Sequence, residues 1–441
     1  MDILIKALQL LLSLSILVVF HEFGHFAAAK FFKTRVEKFY LFFNPWFSLF
    51  KFKKGETEYG VGWLPLGGYV KISGMMDESM DKEQMAKPPE PYEFRSKPAW
   101  QRLIIMLGGV TVNIILAVAI YVMMLTVWGE EYLPTSEVKY GITVDSLAYD
   151  MGLRDGDKIV SIDNKAVADF AKIPSKIILD EAKTIQLDRE GRAVEVAVPE
   201  GFIAKMLDND NVASFISIRF PYEAGKFSKG SAAEAGGIKE GDKFIALNNS
   251  PLMYFDQYIK EIPKYKNSEV DITLLRGADT LNYSLFVPES GKIGVYPASL
   301  NNYFSLEKKT FSFLEAIPAG TVKAYKGVGS YLKQLKLLFS PEVKAYKSVG
   351  GFMSIGSIFP SIWDWRVFWS LTAFLSIMLA IINVLPIPAL DGGHVAFLLY
   401  EMVTGKPASE KVLEYAQVVG MIILFSLLIL ANGNDILKYF F

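Results

Sequence analysis

Within Phe20-His21-Glu22-Phe23-Gly24-His25, two imidazoles stand four residues apart with a carboxylate next to the first. On a helix, residues four apart share a face, and the residue after the first histidine lies on the adjoining flank. The pattern suits a metal ion held by two ring nitrogens, with Glu22 placed to take a proton from water at the metal. A hydrolytic metal centre also needs a third protein ligand and one open position. The chain has three histidines and no cysteine, which excludes disulfides, thiol catalysis and thiolate ligation. The remaining donors gather in Asn383-Val384-Leu385-Pro386-Ile387-Pro388-Ala389-Leu390-Asp391-Gly392-Gly393-His394, where Asp391 and His394 each offer one.

These clusters need elements to position them, and composition says which. A chain of 441 residues, 51% hydrophobic and 21% charged, with positive mean hydropathy, suits several domains or membrane spans. Its net charge of −1 excludes the concentrated positive charge that a nucleic-acid partner requires. Runs apolar enough to cross a bilayer lie at residues 3–30, 103–127, 367–385 and 413–431, the last closed by Asn432-Gly433-Asn434. The first lacks a small-residue cleavage site and reads as a retained span. Lys30, Lys33, Arg35, Lys38, Lys51, Lys53, Lys54, Arg95, Lys97 and Arg102 crowd between the first two spans, against Lys6 before them. That asymmetry puts residues 31–102 in the cytoplasm and residues 128–365 outside it. The first and third spans then run the same way, each with its polar cluster near its inner end. Ionisable groups inside a span are costly unless paired, so they mark function.

Residues 146–159 and 231–244 align at a constant offset of 85, which predicts two copies of one domain. In each copy a short helix leads to a Gly-Asp turn and an alternating strand, at 158–163 and 243–248. The copies resemble PDZ domains, with Leu147 and Ala232 where that pattern usually has proline. Such domains take an extended peptide on a sheet edge.

HEFGH in the first span, NVLPIPALDGGH in the penultimate span and a PDZ-like pair between them resemble the site-2 protease family of intramembrane metalloproteases. The tandem pair most resembles the regulator of sigma-E protease branch, and the resemblance covers nearly the whole chain. It implies Zn2+ held by His21, His25 and Asp391, with Glu22 as catalytic base and Asn383 contacting the substrate backbone or oxyanion. It favours Asp391 over His394, which is left as a supporting donor. It implies a single-span membrane protein as substrate, an anti-sigma factor already trimmed by a first protease in an envelope-stress pathway. The implied setting is the bacterial inner membrane, with the PDZ-like domains periplasmic and the active site towards the cytoplasmic leaflet. A membrane-anchored PDZ scaffold with a structural or inactive metal site is the rival, and the complete ligand set argues against it.

A transmembrane substrate hides its carbonyls in its own helix, so it must unwind and be held extended. Residues 56–74 alternate like strands around a Pro- and Gly-containing turn and predict a membrane-dipping β-hairpin. Gly60, Val61, Gly62 and Trp63 on one strand, and Gly67, Gly68, Tyr69 and Val70 on the other, are its candidate substrate contacts. Pro386 and Pro388 break the helix and free backbone groups for the same purpose. Asn113, inside the second span, is a further candidate. Residues 311–338, with Lys323, Lys326, Lys333 and Lys336, predict an interfacial helix on membrane lipid, and 353–359 dock against the core. The expected fold is a four-span α-helical membrane protein with a membrane-dipping hairpin and two extracytoplasmic PDZ-like β-rich domains. In order these are a first span (1–31), a cytoplasmic segment (32–100), a second span (101–128), PDZ-like domains (129–221 and 222–308) and an interfacial segment (309–364). A third span (365–394), a cytoplasmic loop (395–411) and a fourth span (412–441) follow.

Overall fold

The computed structural model describes residues 2–65, 67–75, 88–208, 215–338 and 349–440. The expected cytoplasmic and interfacial segments thus have stretches, 76–87 and 339–348, outside the described residues. The chain forms two compact units, one from Met1–Gly129 with Thr310–Phe441, the other from Glu130–Lys309.

The first unit contains helices α1 (Asp2–Phe31), α2 (Ala99–Val127), α3 (Phe313–Leu338), α4 (Phe352–Ser357), α5 (Trp365–Val384), α6 (Asp391–Thr404) and α7 (Glu410–Phe440) together with a small sheet. Among the described residues, α1, α2, α5 and α7 are long and apolar enough to cross a membrane. Several of their polar side chains are buried between helices. Ser13 accepts from Thr372 at 3.0 Å, Gln9 donates to the Pro360 carbonyl at 2.8 Å, and Ser376 donates to the Asn113 carbonyl at 2.7 Å. Hydrogen bonds of this kind join helices whose outer faces meet only hydrocarbon.

Three expectations change here. The third span ends at Val384, and Asp391 opens a separate helix, α6, which occupies much of the expected cytoplasmic loop. Proline lacks the amide a helix needs, so Pro386 and Pro388 force this break, and Asp391 then gains from the positive end of the α6 dipole. The fourth span continues through Asn432-Gly433-Asn434 to Phe440. There Asp435 accepts from the Met353 and Ser354 amides, capping α4. Helix α3 is packed into the bundle through its small residues: a methyl on Gly320 would meet Val122 at 2.8 Å, and one on Gly327 would meet Ile377 at 2.9 Å.

The hairpin expectation is also corrected. Strands β1 (Val36–Leu41), β2 (Phe43–Lys54), β3 (Thr57–Leu64) and β4 (Tyr69–Ile72) form one sheet in the order β2-β3-β1-β4. The strands read as partners, β3 and β4, are separated by β1, which runs parallel to β3 and antiparallel to β4. Val36 and Tyr40 of β1 are fully buried, as suits a strand inside the sheet. Gly60 and Gly62 serve this packing: a methyl on Gly60 would strike the Tyr40 ring at 2.3 Å, and one on Gly62 the Phe43 carbonyl at 2.1 Å. Strand β4 is left as an edge.

The second unit contains two lobes with matching construction. Asp157 and Asp242, each 1% exposed, sit at equivalent places in the repeat. Asp157 accepts from the Arg154 amide at 2.8 Å and from both arms of Arg189, at 2.7 and 2.8 Å. Asp242 accepts from the Lys239 amide at 2.8 Å and from both arms of Arg276, each at 2.7 Å. Each arginine also donates to a glycine carbonyl, Gly152 or Gly237, tying the short helix to the hairpin that bears the arginine.

Burial works to raise the Asp242 carboxyl, but the hydrogen bonds from Arg276 and Lys239 outweigh it and hold the group below the usual carboxylate range. A carboxyl depressed in the folded state adds stability above its unfolded pKa of about 3.9 and loses it as pH falls through the folded value. Arg276→Ala in the full chain is therefore expected to lower the stability of this lobe at neutral pH, because the buried Asp242 carboxylate loses both arginine donors. It should also flatten the acid loss below about pH 4, read from hydrogen-exchange protection of Lys243–Leu247 and Ser268–Arg276.

Candidate metal centre

Helix α1 has to carry His21 and His25 into the bundle, and its neighbour has to make room. Gly24 of α1 faces Gly108 and Gly109 of α2. A methyl on Gly24 would lie 2.2 Å from the Gly108 carbonyl oxygen, and one on Gly109 would lie 2.4 Å from His25 Nε2. Glycine on both sides lets the backbones approach closely, as small residues do in membrane helix pairs. Both imidazoles are buried there.

Helix α2 also orients the rings. His25 Nδ1 lies 2.9 Å from the Ile105 carbonyl oxygen, so Nδ1 carries the proton and Nε2 presents a lone pair. His21 Nδ1 lies 3.1 Å from Asn113 Nδ2, while Asn113 Oδ1 is buried without a partner. Turning the amide over satisfies that oxygen with the Nδ1 proton and leaves His21 Nε2 as a second lone pair. The third donor comes from the start of α6. Asp391 Oδ2 lies 3.2 Å from His21 Nε2 and 3.2 Å from His25 Nε2, and the two nitrogens are 3.3 Å apart.

This near-equilateral triangle fits an ion. A tetrahedral Zn2+ with bonds of about 2.0–2.1 Å spaces neighbouring donors about 3.3 Å apart. Asp391 Oδ2 is buried and lacks a conventional hydrogen-bond partner, as expected of an atom reserved for a metal. His21, His25 and Asp391 are the one such cluster among the described residues.

Beside the triangle opens a cavity of about 440 Å³, lined by His21, Glu22, His25 and Asp391 together with Gly68 and with Tyr69 and Val70 of β4. Asn383, in the last turn of α5, points its amide nitrogen at His21 Nε2 from 3.3 Å. Gly67 precedes β4 with φ +147. Gly60, Val61, Gly62 and Trp63 lie on the interior strand β3; Gly60 and Val61 are paired with both β1 and β2, and Gly62 with Ser48 of β2. Trp63 instead donates to the Pro45 carbonyl and stacks on Trp46. Asn113 is fully buried behind His21, not facing the cavity. Pro386 and Pro388 bound the break before α6; Ala389, with φ +73, and Leu390 line the cavity in their stead. His394 also lines it. The roles of Ile105 and Gly109 escaped the sequence reading, although the adjacent pair Gly108-Gly109 in a membrane span was a signal of close approach.

A donor set of this kind, held among membrane-crossing helices and open to a polar cavity, defines the class: a membrane metallohydrolase. More specifically, the chain belongs to peptidase family M50, whose model matches residues 9–427, in agreement with the site-2 protease resemblance. It is 27% identical to the regulator of sigma-E protease of Escherichia coli, over 96% of this chain and 97% of that one. It is 28% identical to the regulator of sigma E protease of Haemophilus influenzae, over 97% and 98%. A relative from Neisseria meningitidis whose name includes zinc metalloprotease is 26% identical over 98% of each chain.

Gly109→Ala is expected to displace both rings, because its methyl would fall 2.4 Å from His25 Nε2 and 2.6 Å from His21 Cε1. Zinc retained per molecule after dialysis against a weak chelator should drop well below the wild-type level while the helical circular-dichroism signal persists.

Proposed function

We propose that the chain is an intramembrane zinc protease that hydrolyses a peptide bond within the transmembrane segment of a single-span membrane protein. The substrate proposed is an anti-sigma factor already shortened by a first protease, in the inner membrane of a bacterium. One observation carries the reading: the donor atoms of His21, His25 and Asp391 stand 3.2–3.3 Å apart beside Glu22, among helices apolar enough to cross a membrane.

His21 and His25 would hold the ion through their Nε2 atoms and Asp391 through one carboxylate oxygen. Bound there, zinc supplies Lewis acidity that polarises a carbonyl and brings the pKa of water down towards about 7. Glu22 takes the proton from the attacking water and passes it to the leaving amine. Asn383 donates its amide N–H to the oxygen on which negative charge develops. Asn113 and the Ile105 carbonyl keep the two imidazoles in the tautomer that ligation needs.

Strand β4 supplies the grip. Its outer edge borders the cavity, and an unwound substrate segment can add to it as a further strand, held by backbone hydrogen bonds. The lobes of Glu130–Lys309 are proposed as PDZ-like domains on the periplasmic side, which receive peptide ends and disfavour substrates with bulky outer parts.

Cleavage of a membrane-embedded model substrate by the purified protein tests this. Glu22→Gln should lower the rate by about 10²–10⁴-fold with zinc still bound. Asp391→Asn should lose zinc and activity together, and chelation should abolish cleavage until zinc is restored. Full activity in Glu22→Gln would sink the mechanism.

A further inference from the structure

The first two ligands share one continuous helix, but the third arrives on a separate one. Between α5 and Asp391 the chain is irregular from 385 to 390, with Ala389 at φ +73, so the position of Asp391 depends on what holds α6. Helix α6 packs extensively on α2, with two contacts towards its far end. Leu398 is buried in a cluster with Ile105 and Met106, and Glu401 is ion-paired with Arg102. Both charged side chains are less than one-fifth exposed, and the Arg102 Nε also donates to the Lys97 carbonyl at 2.9 Å.

The spacing on α2 gives this pair its meaning. Arg102, Ile105, Gly109 and Asn113 follow one another at intervals of three and four residues, so they form one stripe of the helix. Ile105 and Asn113 orient His25 and His21, and Gly109 gives both rings their space. Arg102 ends the same stripe and grips α6. The pair also lines a cavity of about 110 Å³ that shares His394 with the metal cavity, so losing the pair leaves room for α6 to shift. A buried charge whose partner is removed is strongly destabilised where it stands, which favours such a shift.

We infer that the Arg102–Glu401 ion pair is a positioning element for the metal: it fixes α6 on the α2 stripe and thereby sets Asp391 against His21 and His25. This rests on the reading of those three residues as ligands. The two residues touch neither substrate nor metal.

The test measures zinc affinity of the purified full-length protein with a competing chelator, together with thermal unfolding of the metal-free form. Arg102→Gln and Glu401→Gln are each expected to weaken zinc binding by about tenfold or more, the scale of lost support around metal ligands. Arg102→Glu combined with Glu401→Arg is expected to recover most of it. Wild-type affinity in both single variants overturns the inference. So does a loss of affinity that follows only the loss of folded protein and is not recovered by the exchanged pair. Asp391→Ala is the control for the underlying reading. If it binds zinc like the wild type, the ligand assignment fails; if it loses zinc while the Arg102 and Glu401 variants do not, only the positioning inference fails.

Discussion

One helix can have its imidazoles oriented by the backbone and side chains of a neighbour only where little more than hydrogen stands between the two, and the metal centre depends on that approach. Gly24 against Gly108 and Gly109 provides it. Had α1 and α2 been held apart by ordinary side chains, Ile105 could not reach His25 and Asn113 could not reach His21. The rings would then be free to rotate and to take the wrong proton. Close packing here is therefore a chemical requirement, enforced sterically.

The same approach makes buried polarity tolerable. A lipid-embedded bundle offers no water to satisfy stray donors, so each polar group needs a partner inside. Ser13 with Thr372 and Ser376 with the Asn113 carbonyl tie α1, α2 and α5 together around the site. One of the buried atoms left over is informative: Asp391 Oδ2 lacks a conventional hydrogen-bond partner among the described residues and lies 3.2 Å from each of two imidazole nitrogens, as suits a ligand atom. In the other unit Asp157 and Asp242 are each fully engaged by a two-armed arginine. The contrast separates carboxylates that hold a fold from one that waits for an ion.

Much of this was legible in the sequence, because its signals were local or periodic. Apolar runs gave the four spans, four-residue spacing gave the histidine pair, and a constant offset gave the repeated lobes. What escaped depended on distant pairing. Nothing near residues 59–72 says that β1 will insert between β3 and β4, since that is decided by the burial of Val36 and Tyr40. Asn432-Gly433-Asn434 reads locally as a stop, yet Asp435 finds its use in capping α4, more than 75 residues earlier in the chain. Lysines made α3 look like a surface helix, while Ala316, Gly320, Ala324 and Gly327 on its other side carried the packing signal.

The break between α5 and α6 places the last ligand 366 residues after the second histidine. A ribosome adding about 5–20 residues per second takes roughly 20–70 s to cover that distance. Throughout that interval the nascent chain already exposes its histidines and glutamate in the bilayer, yet lacks the carboxylate that would complete the site. If His21, His25 and Asp391 hold the ion as proposed, hydrolytic capacity is withheld until the chain has been synthesised as far as α6.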